Sequence, residues 1–193
     1  SIHGSPLGEQ EIKLVREIYG WIHEPFEIPN DIKKSWSAIG LKNTVQRKSW
    51  EENFSKLSNK KRTEFVHSFS GKSSENLRRR LSQFKKSAIS EKPNIATRKA
   101  SELALDVINQ CCNNTVGGSA DLTGSNNTLT PNLGIFSPEN PGGRYIHYGI
   151  REHGMAAAMN GIALHGGLIP YGGTFLAFTD YARGGMRLSA LMG

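Results

Sequence analysis

The apolar positions of the first 90 residues are sparse and recur at helical spacing. Ile12, Val15, Ile18 and Ile22 predict a short helix over about Glu9–Trp21. It follows a turn-rich stretch, His3-Gly4-Ser5-Pro6-Leu7-Gly8. Pro25 and Pro29 bracket an extended link, and Pro29 suits the start of a second helix reaching Ile39. Trp50, Phe54, Leu57, Phe65 and Phe69 then form a thin stripe on a charged helix or helix pair. Ser73-Ser74-Glu75 reads as a helix start before Leu77, Leu81 and Phe84. This middle stretch has too few apolar residues to fold alone, so it must lie on something else.

After Pro93 the pattern changes. Thr97 to about Gln110 is an amphipathic helix, with Ala100, Leu103, Ala104, Val107 and Ile108 on one face. Residues 116–122 read as a short buried strand running into a polar turn, and 125–143 as loop. A strand at 145–150, a small-residue helix from Arg151 to about Leu164, a strand over Leu168–Thr174 and a helix from about Phe178 to Met192 follow. Alternating strands and helices imply an α/β fold with a parallel sheet. At most three strands are present, and such sheets are normally covered on both faces, so this sheet is expected to belong to something larger.

Composition sharpens the division. The chain has 193 residues, 37% of them hydrophobic, and a formal net charge of +7. Between Lys42 and Lys99 stand sixteen Lys and Arg against five Glu and no Asp, while sixteen of the 21 glycines lie in residues 117–193. A basic, helical first part therefore precedes a glycine-rich α/β part, with the change near Lys92-Pro93. No apolar run approaches the roughly 18 to 20 residues that a membrane-spanning helix needs. Ser1-Ile2-His3-Gly4 has neither an initiator Met nor a signal-peptide pattern, as expected of a processed, trimmed or partial chain. Cys111 and Cys112 are adjacent and cannot build a disulfide framework, which fits a reducing cytosol.

Loops after parallel strands build ligand sites. One such loop is the Ser/Asn/Thr-rich turn from Asp121 to Thr128; another is the junction Gly149-Ile150-Arg151-Glu152-His153-Gly154. The ordinary reading of Glu152 is a solvated first-turn acid stabilised by the helix dipole. Its Tyr, Ile, Gly, Met and Ala surroundings are a poor setting for a carboxylate without a partner, and the alternative is a desolvated carboxyl able to share a proton with a heterocyclic nitrogen. Phe175, Phe178 and Tyr181 fall on one side of a strand-to-helix turn, either as core aromatics or as a cage for a flat ring. Arg98, at a helix start, and His3, in a Gly/Pro loop, are either solvated or ligand-contacting. Arg78-Arg79-Arg80 and Lys60-Lys61-Arg62 read more readily as a solvated helical face than as a phosphate-backbone footprint.

Gly117-Gly118-Ser119-Ala120-Asp121-Leu122, Arg144 to Met155, and Pro170-Tyr171-Gly172-Gly173-Thr174-Phe175 stand in the order of the transketolase motifs, and together they resemble that family. His3 to Gly8 and Ile95 to Ser101 extend the resemblance over nearly the whole chain. It implies the tail of a diphosphate-binding domain at 1–41, a basic helical inter-domain linker at 42–92, and the first half of a thiamine diphosphate-binding pyrimidine domain at 93–193. The implied activity is transfer of a two-carbon ketol unit from a ketose phosphate to an aldose phosphate. Thiamine diphosphate would be held with Mg²⁺ or Ca²⁺, whose ligands are expected outside this chain. The full protein would be a cytoplasmic homodimer, with no nucleic-acid or membrane partner, and the isolated chain would be inactive. The resemblance makes Glu152 the glutamate that hydrogen-bonds the aminopyrimidine N1′ and promotes proton transfer from the thiazolium C2. It places Asp121, Phe175, Phe178 and Tyr181 around the cofactor, and Arg98 and Ser125 on the sugar phosphate. His3 falls near both the diphosphate and the reacting oxygens. Gly124 and Asn127 depart from the family's usual proline and leucine, and Gly184-Gly185 is expected to weaken the last helix by about 1 kcal/mol per glycine. Two other readings are a different thiamine diphosphate-dependent synthase and a basic helical module that binds nucleic acid through 42–92.

Overall fold

The computed structural model describes residues 3–72 and 75–193, in two compact units, Ser1–Leu57 and Ser58–Gly193. The first unit is helical: α1 (Glu9–Ile18), α2 (Asn30–Leu41) and α3 (Thr44–Ser55). Helix α1 stops where Gly20 takes a left-handed conformation, and the Arg16 guanidinium then donates to the carbonyl of His23. Pro29 caps α2 from just outside it. None of the three helices buries a residue fully, in keeping with their thin apolar stripes.

The second unit opens with α4 (Asn59–Ser68), capped by the hydroxyl of Ser58, which accepts from the Lys61 N–H at 3.4 Å. The charged stretch around residue 57 is thus a helix pair. The composition boundary at Lys92-Pro93 lies inside this unit, because α5 (Glu75–Glu91) packs against α6 (Thr97–Cys111). Its half-buried stripe of Leu77, Leu81, Phe84 and Ala88 is the face that needed support. The expected start at Ser73-Ser74 lies outside the described residues. Phe69 sits against Gly166 and Gly167, both at positive φ, where an added Cβ would come within 3.2 and 2.9 Å of its ring.

Three parallel strands form the sheet in the order β2-β1-β3: β1 (Thr115–Ser119), β2 (Tyr145–His147) and β3 (Ile169–Pro170). The third strand is shorter than the expected Leu168–Thr174. Its ladder runs on, with Tyr171 donating to Val116 and Gly173 to Gly118 at 2.9 and 3.0 Å. The loop after β1 starts with a single turn, α7 (Thr123–Asn126), which ends at left-handed Asn127. Helix α8 (Glu152–His165) follows β2, and a 3-10 turn (Leu176–Phe178) leads into α9 (Thr179–Met192).

The glycine pair in α9 corrects the expectation of a weak helix, because the helix runs unbroken through it. Gly185 is buried against α8, and a Cβ there would lie 2.9 Å from that of Ala156. The glycine lets two helices approach closely, and tertiary packing outweighs its low propensity. Arg144 is a second device absent from the hydrophobic pattern. Its guanidinium donates to the carbonyls of Cys112 and Asn109, at 2.6 and 3.1 Å, and to Thr115 Oγ1 at 3.0 Å. A cation thereby closes the C-terminal, carbonyl-rich end of α6.

Two tyrosines cover the glycine strand β1. Burial pushes the Tyr148 and Tyr171 phenols above their ordinary 10.0, with the Asn109 hydrogen bond partly offsetting this at Tyr171. The folded state therefore holds these protons more tightly than the unfolded chain, and their contribution to stability is complete below about pH 10 and lost above it. The melting temperature is expected to fall as pH rises past 10, and less steeply in Tyr171→Phe; equal slopes for the two proteins would count against this.

Candidate functional site

The C-terminal ends of β1 and β2 and the start of α9 enclose a cavity of about 590 Å³ in the second unit. Its wall includes Asp121, Arg151, Glu152, His153, Phe178 and Tyr181. Glu152 opens α8 at the end of a tight junction, where Gly149 has φ +67 and an added Cβ would overlap the Arg151 guanidinium. Arg151 is turned back to donate to the Tyr148 carbonyl at 2.8 Å. Glu152 is only 7% exposed, so it is not a solvated first-turn acid. Among the described residues no hydrogen bond or ion pair to its carboxylate is found. A buried carboxylate without an internal partner is costly unless a ligand supplies one. It lies at a helix N-terminus, and the dipole there offsets part of that cost.

The aromatic residues form a ladder. Phe175 stacks on Phe178 at 6.0 Å between centroids and 17° between planes, and Phe178 on Tyr181 at 6.2 Å and 27°. They are not core aromatics, being 41%, 36% and 68% exposed. Phe178 and Tyr181 face the cavity, so a flat heterocycle entering there meets apolar rings on one side and a carboxylate on the other.

Asp121 lines the same cavity, exposed and left-handed at φ +59. The cavity thus gathers Asp121, Glu152, Phe178 and Tyr181, and Phe175 joins through its stack. Arg98 is exposed in the first turn of α6 and Ser125 is half-buried in α7; neither lines the cavity. His3 is exposed in a turn of the first unit. Sequence reasoning did not single out Leu122, Ile150 or His153 as wall residues; their place beside Asp121 and Glu152 was the available signal. Among the described residues no group of three or more His, Cys, Asp and Glu side chains stands where it could hold a metal ion.

Residues 93–193 match the family model described as the transketolase pyrimidine binding domain, and residues 1–77 that described as the transketolase thiamine diphosphate binding domain. Transketolase from Rhodobacter capsulatus is 54% identical over 193 residues, covering 100% of this chain and 29% of that protein. The solved transketolase from Leishmania mexicana superposes with a TM-score of 0.77 at 35% identity, over 96% of this chain and 28% of that one. A Pichia stipitis transketolase solved in complex with sedoheptulose-7-phosphate gives 0.75 at 36% identity, over 97% and 29%. The chain therefore spans under a third of the length of these relatives. Neither a different thiamine diphosphate-dependent synthase nor a nucleic-acid-binding module is supported by these matches. Among the described residues no helix is long and apolar enough to cross a membrane.

Proposed function

Because the chain belongs to the transketolase family, we propose that it supplies the pyrimidine-binding part of a ketol-transferring active site in a longer protein. The reaction is transfer of a two-carbon unit from a ketose phosphate to an aldose phosphate. The observation that carries this reading is Glu152, buried and without an internal partner, on the wall of a cavity flanked by stacked aromatic rings. That arrangement fits an aminopyrimidine, whose ring nitrogen would complete the carboxyl's hydrogen bonding while Phe178 and Tyr181 flank its face. When bound, thiamine diphosphate supplies the carbanion chemistry. Glu152 would hold and move the proton at the ring nitrogen N1′. Asp121, on the adjacent loop, contacts the cofactor, and Phe175 braces the ladder.

In the same reading 1–41 is the tail of a diphosphate-binding domain, 42–92 a helical linker and 93–193 the first half of the pyrimidine domain. Arg98 and Ser125 hold the sugar phosphate, where a guanidinium and a hydroxyl suit a dianion. His3 contacts the diphosphate and the reacting oxygens. Mg²⁺ or Ca²⁺ is held by residues outside this chain, and the full protein works as a cytoplasmic homodimer.

The test is mass spectrometry of products from the full-length protein with thiamine diphosphate, Mg²⁺, a ketose phosphate and an aldose phosphate. The expected result is a ketose shortened and an aldose lengthened by two carbons. No ketol transfer in this mixture, with pyruvate consumed when it replaces the ketose phosphate, would overturn the assignment.

A further inference from the structure

The hydroxyl of Ser119 is the most heavily used side-chain group near the cavity, although it does not line it. Ser119 is 0% exposed at the end of β1. Its Oγ donates to the carbonyl of Gly173 at 3.2 Å and accepts from the Leu122 N–H at 3.1 Å and Asn126 Nδ2 at 2.9 Å. A serine hydroxyl has one proton and two lone pairs, so all three valences are taken. Each bond reaches a different piece of the site. The Leu122 N–H closes the turn that holds Asp121 at its strained φ of +59. The Asn126 amide belongs to α7, the turn that carries Ser125. Gly173 stands two residues before Phe175, the first ring of the ladder.

The network extends beyond Asn126. Thr128 Oγ1 donates to Asn126 Oδ1 at 2.8 Å, and Tyr145 OH meets Thr128 Oγ1 and Thr123 Oγ1 at 2.7 and 3.0 Å. Gly173 lets the loop close against β3; a Cβ there would lie 2.5 Å from Thr128 Cγ2 and 2.7 Å from Asn126 Nδ2. A mobile polar loop would need only one or two such bonds. This one is fastened through Asn126, Thr128 and Thr123, and the Leu122 N–H and the Asn126 amide both end on the buried Ser119 oxygen.

We propose that Ser119 is a positioning residue, holding the Asp121 loop and the Phe175 strand end in one rigid frame so that cofactor binding does not have to order them. This rests on the thiamine diphosphate reading of the cavity. The alanine variant should leave the proton chemistry at Glu152 intact and weaken cofactor capture.

The experiment uses the full-length protein, with Ser119→Ala and the milder Asn126→Ala compared with wild type. In the absence of cofactor, the Leu122 amide should exchange its proton about tenfold faster in Ser119→Ala, while amides in α8 exchange as before. The thiamine diphosphate concentration for half-saturation should rise about tenfold, with kcat at saturation changing less than about threefold. Asn126→Ala removes one of the three bonds to Ser119, together with the bond from Thr128, but leaves the Leu122 and Gly173 bonds in place and should shift half-saturation in the same direction by less. It also keeps the proposal testable if Ser119→Ala does not fold. A lowered melting temperature with unchanged half-saturation in both variants would overturn the proposal, leaving Ser119 a structural residue only. Failure of wild type itself to bind thiamine diphosphate is a separate outcome, which overturns the cofactor reading and this proposal with it.

Discussion

Glu152→Gln in the full-length protein is expected to lower the rate of ketol transfer by roughly 10²- to 10⁴-fold, the usual range for losing a positioned proton-transfer group. Glutamine keeps the shape of the side chain and can still hydrogen-bond a ring nitrogen, but it cannot give up or take a proton at that atom. The loss should therefore fall on kcat more than on cofactor binding. Stability should move the other way or not at all. The residue is 7% exposed, and among the described residues no hydrogen bond to its carboxylate is found, so the substitution removes a largely buried acid without breaking an internal contact. A melting temperature equal to or above that of wild type, with activity nearly abolished, is the expected pair of results. Retention of more than about a tenth of the wild-type rate would remove Glu152 from the proton relay.

Gly118→Val should have the largest structural effect. The two glycines of β1 point to opposite faces of the central strand, and each face is closed by a tyrosine. A Cβ on Gly117 would overlap the Tyr171 ring, approaching Cε2 at 2.6 Å. A Cβ on Gly118 would overlap the Tyr148 ring and come within 2.7 Å of the Ile146 carbonyl oxygen. The second clash is the harder one to relieve, because it involves the backbone of β2, which pairs with β1 through Gly118 and Ile146. Overpacking of this kind typically costs about 1–3 kcal/mol, and a branched side chain against backbone belongs at the upper end. Pushing β1 from β2 also separates the loop of Asp121 from the junction of Glu152, so cofactor binding should weaken together with stability. Gly124→Ala is the control, since a Cβ there meets nothing within 4 Å and α7 gains a better helix former. Denaturant unfolding of the three proteins checks the order; a Gly118→Val midpoint equal to wild type would contradict the packing argument.

Much of the second unit was legible from residue pattern because its elements obey their periods. Helices α6 and α8 fall within a residue or two of the expected spans, and the alternation of strands and helices implied the parallel sheet that is observed. The cavity was legible in part. Glu152 was singled out by a carboxyl among small and apolar neighbours, and the ladder by the spacing of three aromatics. What escaped was polar and non-local. Arg144 clasps the end of α6 from 32 and 35 residues away, and Ser119 reaches 54 residues to Gly173. No periodicity encodes such pairs. Gly184-Gly185 was misread for the same reason, since helix propensity is a local quantity and the benefit of Gly185 comes from Ala156 on another helix.

The residues alone therefore determined the class of fold, the change of texture near Pro93 and the motifs that resemble transketolase, because hydrophobic period, glycine content and motif order are properties of neighbouring positions. Tertiary structure decided that α4 and α5 belong with the α/β unit, where α5 rests on α6. It decided that Asp121, Glu152, Phe178 and Tyr181 share one cavity, and that a single buried hydroxyl joins the turn after Asp121 to Asn126 and to Gly173. Those outcomes depend on which surfaces meet when distant segments pack, and a carboxylate is desolvated or a glycine indispensable only after they have met.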